Sequence, residues 1–386
     1  MKLQHQKQLF TLPENITYLN IASLSPSFKS IEEAGIKAVK EKSTPHLIPS
    51  TNFFEPVIEL KKLFTKLIHA DNYNRIANIP SVSYGLATVA NNTQLKEGDE
   101  ILLVEGQFPS NYYVWDTLAK KYNAVIKIAE QPENKIGKGK LWNETILNSI
   151  SDKTAVIALG NIHWANGTIF DLKAIRKKAT LHNALLIIDG SQSVGALPFS
   201  IKEIQPDALI CAGYKWLFGP YGCGYAYFGS KFDNGTPIEE NWSNRLNSED
   251  FSRLTNYQSQ YKPLANRYSV GEHGSFIYVQ MQIAAIKQLL QWNPEDIQNY
   301  CLSITASSIE RLRNAGCFIE ENTYRAKHLF GVEIPKSVNL QSLKDKLSKE
   351  NIFVSFRGNY IRISCHLYNT ENEIIKLTDC ILSEIS

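Results

Sequence analysis

The chain has 386 residues, 43% hydrophobic and 20% charged, the profile of a soluble globular protein with one large or two moderate domains. With 41 basic and 38 acidic residues, the net charge of +3 gives no electrostatic case for nucleic acid or an acidic membrane. The longest apolar runs are too short to span a bilayer, the first residues carry no apolar signal segment, and the 6 cysteines lack CxxC spacing. A cytoplasmic protein with reduced thiols and no metal site is expected.

Two helices are expected first, at 31–42 and 55–69. Short β-rich runs follow at 75–79, 100–105, 124–129, 154–159, 185–189, 208–212 and 224–228. Helical patterns lie between them at 84–94, 111–121, 142–149 and 172–182, the last preceded by Asp171 as N-cap. Such alternation is the signature of a parallel sheet with crossover helices. The character changes after residue 229. A loop-rich stretch at 230–270 leads to helices at 275–290 and 294–314. Strands at 318–321, 329–334, 353–355 and 360–363 then accompany helices at 340–349 and 371–385. The expected fold class is α/β, with a large, mostly parallel sheet domain over 15–270. A small C-terminal α+β domain is expected over 271–386, together with an N-terminal arm at 1–14. Helix 294–314 would be the hinge.

Two residues dominate the chemistry. Asp189 closes the apolar run Leu185-Leu186-Ile187-Ile188, and Lys215 stands in Gly213-Tyr214-Lys215-Trp216, just beyond the next strand. An acid at the end of one buried strand and a lysine in a Gly-rich turn after the next suit pyridoxal phosphate (PLP). The lysine can form a Schiff base with the aldehyde, and the acid can keep the pyridine nitrogen protonated. A lysine in a desolvated pocket also has the depressed pKa that a nucleophile and proton shuttle needs.

The stretch from Asp189 through Gly195 to Lys215-Trp216 and Gly219-Pro220 resembles the class V aminotransferase family of fold-type I PLP enzymes. Cysteine desulfurases, kynureninase and isopenicillin N epimerase belong to that family. The likeness extends from Tyr18-Leu19-Asn20-Ile21-Ala22-Ser23 to Arg362-Ile363-Ser364 and Tyr368-Asn369, nearly the whole chain. It implies the PLP-dependent transferase fold type I and a homodimer. Lys215 and Asp189 are then the catalytic pair, and Gln192 donates to the cofactor's phenolic oxygen. Pro80-Ser81-Val82-Ser83-Tyr84-Gly85 becomes the phosphate cup, with Ser83 and Tyr84 in it and Tyr214 also contacting phosphate. Phe108 stacks on the pyridine face. His163 and Trp164 border the substrate, Trp164 near the position of a desulfurase asparagine. Arg362 binds a substrate α-carboxylate, with Arg357 as a second candidate. Ser275, in Val270-Gly271-Glu272-His273-Gly274-Ser275, stands where a family threonine completes the phosphate site of the second subunit.

The implied activity is transamination or Cα/Cβ lyase chemistry on a small amino acid. A kynureninase-like hydrolase and an amino-acid epimerase remain open. A non-catalytic binding protein on the same scaffold is the reading from a different class. A desulfurase needs a persulfide-forming cysteine shortly before the C-terminal arginine. Residues 354–361 contain none, and Cys365 follows the arginine strand.

Overall fold

The computed structural model describes residues 3–385; Met1 and Lys2 of the expected arm and Ser386 of the expected C-terminal domain lie outside the described residues. The chain begins β1 (Thr17–Tyr18), α1 (Lys29–Lys42), α2 (Glu55–Leu67), β2 (Ile76–Ile79), α3 (Val82–Asn91), β3 (Glu100–Val104), α4 (Ser110–Tyr122) and β4 (Val125–Ala129). It continues α5 (Lys138–Ser149), β5 (Thr154–Gly160), α6 (Leu172–Leu181), β6 (Leu185–Asp189), α7 (Ile201–Ile204), β7 (Ala208–Ala212) and β8 (Gly224–Phe228). The last part holds α8 (Phe276–Trp292), α9 (Pro294–Asn314), β9 (Leu329–Glu333), α10 (Leu340–Lys349), β10 (Ile352–Phe353), β11 (Ser355–Arg357), β12 (Tyr360–Ser364) and α11 (Glu371–Ile385).

Seven strands form one sheet in the order β2-β8-β7-β6-β5-β3-β4. Strands β3 to β7 are mutually parallel, and β8 is antiparallel to both β7 and β2. The continuous apolar run in β6 follows from burial on both faces. Leu186 and Ile188 join the apolar cluster on one side of the sheet and Ile187 the cluster on the other. Helix α3 approaches so closely that a Cβ on Gly85 would stand 2.7 Å from Ile210 Cγ2. At the far edge β4 carries Lys127, paired with Glu100 at 3.1 Å, a charge that protects an open strand. The chain leaves β3 for β4 on one side and returns to β5 on the other. A crevice therefore opens outside the carboxyl ends of the strands, at the point where the order reverses.

A 3-stranded antiparallel sheet, β11-β12-β9, forms near the C-terminus, and β1 pairs in parallel with β10. Helix α8, expected with the C-terminal unit, packs on α1 and α2, whereas α9 packs on α11. The larger apolar cluster runs unbroken from Leu209 in the main sheet to Leu377 in α11. Residues 318–321, expected as a strand, contribute only the bridge from Phe318 to Glu333. The Arg313 guanidinium occupies the carbonyls of Ile319 and Glu320, so a neighbouring strand cannot use them. The expected strand 353–355 is split, with Phe353 pairing to β1 and Ser355 opening β11.

Candidate active site

A cavity of about 210 Å³ lies at the carboxyl ends of the sheet. Ser81 and Ser83 line it after β2, Phe108 after β3, Trp164 after β5, Asp189 and Gln192 after β6, and Tyr214 and Lys215 after β7. Lys215 is 8% exposed, its Nζ 5.4 Å from the Phe108 ring centroid and 5.6 Å from that of Tyr214. The Nζ has no hydrogen bond or ion pair among the described residues. Burial lowers its pKa to about 8; the Asp189 charge opposes the shift, and the Arg362 and Arg357 charges add to it.

Asp189 accepts the Ser191 N–H on Oδ1 at 3.0 Å and has no ion pair among the described residues. Burying part of a carboxylate without a cation is costly, so this group is suited to a cationic ligand. The Gln192 amide donates to Ala22 O at 3.0 Å and accepts from Trp216 Nε1 at 2.9 Å, which leaves one amide N–H to spend. Ser81 caps α3 by accepting the Tyr84 N–H at 3.1 Å. The N–H groups of Val82 and Ser83, in the first helical turn, have no intrahelical partner and suit an anion. Trp164 is fixed by its indole N–H on Gly106 O at 2.7 Å and meets Phe108 edge-on, ring centroids 5.4 Å apart.

Four expected site residues are not among those that line this cavity. The Tyr84 N–H is spent on the cap, and its phenol pKa rises to about 12 through burial and the Glu239 charge. Its side chain does not line the cavity, and the buried hydroxyl has no hydrogen-bond partner among the described residues. His163 lies behind the wall, its Nε2 3.2 Å from Gly106 O and its ring 5.1 Å from that of Trp142. Burial pulls its pKa down to about 4, so it is a neutral core histidine instead of a substrate contact. Ser275 caps α8 through the Tyr278 N–H and borders a different cavity, with Phe53 and His273. Arg362 is 2% exposed and sits behind Trp164, donating to Trp164 O at 3.2 Å and Ser23 Oγ at 2.8 Å. Burial, then the Arg357 charge, draws its pKa down to about 9.

Some contributors were not anticipated. Gln107 holds the Phe108 loop by donating to Ala158 O at 3.2 Å. Ser191 Oγ accepts the Ala212 N–H at 3.1 Å and so ties the Asp189 turn to the Lys215 strand. The Tyr221 ring packs against Tyr214 at a tilt of 47°, with centroids 4.5 Å apart. Ser23 and Ser25 reach the site from the N-terminal segment, Ser25 on Tyr214 O at 3.1 Å. Asn20, Ser23 and Ser25, set among the apolar Ile21, Ala22 and Leu24, were the available signal. Cys223 also lines the cavity, but burial pushes its thiol up to about 11. Cys365 is fully buried, its nearest acceptor Lys327 O at 3.9 Å.

The family model described as Aminotransferase class-V matches residues 43–377. An uncharacterised aminotransferase of Bacillus subtilis is 25% identical, over 96% of this chain and 95% of its own. A probable cysteine desulfurase of Borreliella burgdorferi is 24% identical, over 94% of this chain and 86% of its own. Among solved structures, a cysteine desulfurase of Thermococcus onnurineus superposes with a TM-score of 0.83 at 17% identity, covering 99% of this chain and 98% of its own.

Proposed function

Because the chain belongs to the aminotransferase class-V family, we propose that it is a PLP-dependent enzyme acting at Cα or Cβ of a small amino acid, by transamination or lyase chemistry. The observation that carries this reading is the buried Lys215 amine sharing a cavity with the Asp189 carboxylate, neither of them in an ion pair among the described residues. The residues fit the cofactor. Asp189 would hold the pyridine nitrogen, the start of α3 and Ser83 the phosphate, Phe108 the ring face, Gln192 the phenolic oxygen and Lys215 the aldehyde carbon. When bound, PLP supplies an aldehyde that condenses with amines and a ring that draws electrons from the substrate's Cα.

The protein's own share is positioning and proton transfer. Lys215 would take the Cα proton of the bound substrate, and its depressed pKa keeps a usable neutral fraction near pH 7. Asp189 would accept the ring nitrogen's N–H and so keep the proton there. Trp164 and Phe108 wall the cavity. A homodimer, with Ser275 serving the second subunit's cavity, is part of this proposal; light scattering that finds a stable monomer holding cofactor would remove it.

Absorption spectroscopy tests the reading. The purified protein mixed with PLP is expected to gain a visible band that borohydride bleaches, with the label mapping to Lys215. Amino acids should then shift the band; a label elsewhere or a spectrum indifferent to every amino acid contradicts the assignment.

Persulfide chemistry is not supported by the thiols. Cys365→Ala is expected to retain near wild-type turnover, and incubation with cysteine to leave no persulfide on Cys365. A stable persulfide there, with sulfide release lost in the variant, would restore a desulfurase reading.

A further inference from the structure

Arg357 and Arg362 share one face of the β11–β12 hairpin. In the antiparallel register Ser355 lies opposite Arg362, and Arg357 lies opposite Tyr360. Opposed residues, and residues two apart on one strand, project to the same side, so both guanidinium groups leave the hairpin together. They end against one indole: Arg357 Cζ is 5.7 Å and Arg362 Cζ 5.8 Å from the Trp164 ring centroid. Trp164 in turn lines the cavity that holds Lys215 and Phe108.

Neither arginine has a carboxylate partner among the described residues. Arg357 donates to Phe356 O at 2.8 Å, and Arg362 to Trp164 O, Ser23 Oγ and Ser355 Oγ at 3.2, 2.8 and 3.4 Å. All of these acceptors are neutral, and the buried Arg362 Nε has no partner among the described residues. Two like charges at one wall with no anion between them repel, and a buried one also lacks hydration. One carboxylate compensates one guanidinium. A ligand that carries two anions compensates both.

From this arrangement we infer that the amino acid taken by the site has an anionic side chain carrying a second carboxylate, with Arg362 on the α-carboxylate and Arg357 on the side-chain anion. The inference rests on the proposed reading of the cavity as an amino-acid site. A planar guanidinium offers two parallel N–H donors to either anion, which an ammonium does not. An amino acid with a neutral side chain leaves Arg357 uncompensated.

Succinate and propionate differ by one carboxylate and carry no amine, so they report on the arginines without entering the chemistry. Calorimetry on the PLP-loaded protein is expected to show succinate bound at least about tenfold more tightly than propionate. Arg357→Met should bring that ratio close to one, and Arg357→Lys, which keeps a charge without the planar fork, should leave it intermediate. Equal affinities in the wild type, or an undiminished ratio in Arg357→Met, overturns the inference. Aspartate and alanine titrated against the cofactor band separate the two levels. Aspartate is expected to bind more tightly. A response to both with equal affinity defeats only the anionic side chain, whereas no response to either defeats the amino-acid reading beneath it.

Discussion

Lys215→Ala is expected to lower turnover by about 10²–10⁴-fold, the range that a positioned acid–base group supplies. The fold should survive. The Lys215 amine makes no hydrogen bond or ion pair among the described residues, so its removal strands no partner. The variant should still bind PLP through the Asp189 and α3 contacts, but borohydride should no longer fix the cofactor to the chain. A small primary amine such as ethylamine should restore part of the lost rate, since truncation opens room in the cavity and the amine supplies the missing base. The titration gives an independent check. Only the neutral amine attacks a carbonyl, and the Lys215 pKa lies at about 8 instead of 10.5. In protein prepared without cofactor, aldehyde labelling of Lys215 should therefore rise about tenfold per pH unit below 8 and level off above it. Full activity in Lys215→Ala, or a labelling midpoint near 10.5, would refute the assignment.

The strands of the main sheet were legible because burial on both faces demands unbroken apolar runs, and Leu185-Leu186-Ile187-Ile188 satisfies that demand at both parities. Lys215 and Asp189 were legible for a related reason. Charged groups that close buried runs stand at strand ends, and in a parallel sheet the carboxyl ends face the crevice. What stayed hidden depends on orientation and on distant partners. His163 and Trp164 are neighbours, yet one turns into the core against Trp142 and the other onto the cavity. Nothing local decides which. Tyr84 was expected at the phosphate because of its place in the turn, but the Ser81 cap claims its N–H. The bond from Arg362 to Ser23 joins residues 339 positions apart, beyond any local pattern. The missing strand at 318–321 has the same kind of cause, because the competing donor is a side chain on α9.

Arg362→Ala should raise KM for the amino-acid substrate roughly 10- to 100-fold, since a charge-assisted hydrogen bond contributes about 1.5–3 kcal/mol. The structure adds a complication that decides how the experiment must be read. Arg362 also donates to Trp164 O and Ser23 Oγ, so its loss could loosen the cavity wall without any role in binding. The corresponding decarboxylated amine separates the two effects. A carboxylate-binding role predicts that Arg362→Ala weakens the amino acid but leaves the affinity of the amine nearly unchanged, so the gap between them closes. A purely architectural role predicts that both weaken together. Arg362→Lys sharpens the comparison: it keeps a charge and loses the fork, and should recover only part of the preference. Stability is a poor guide here, because deleting the arginine also removes the cost of a buried charge with no anionic partner. The deciding quantity is the ratio of the two affinities. If that ratio is the same in wild type and Arg362→Ala, the substrate carboxylate binds elsewhere.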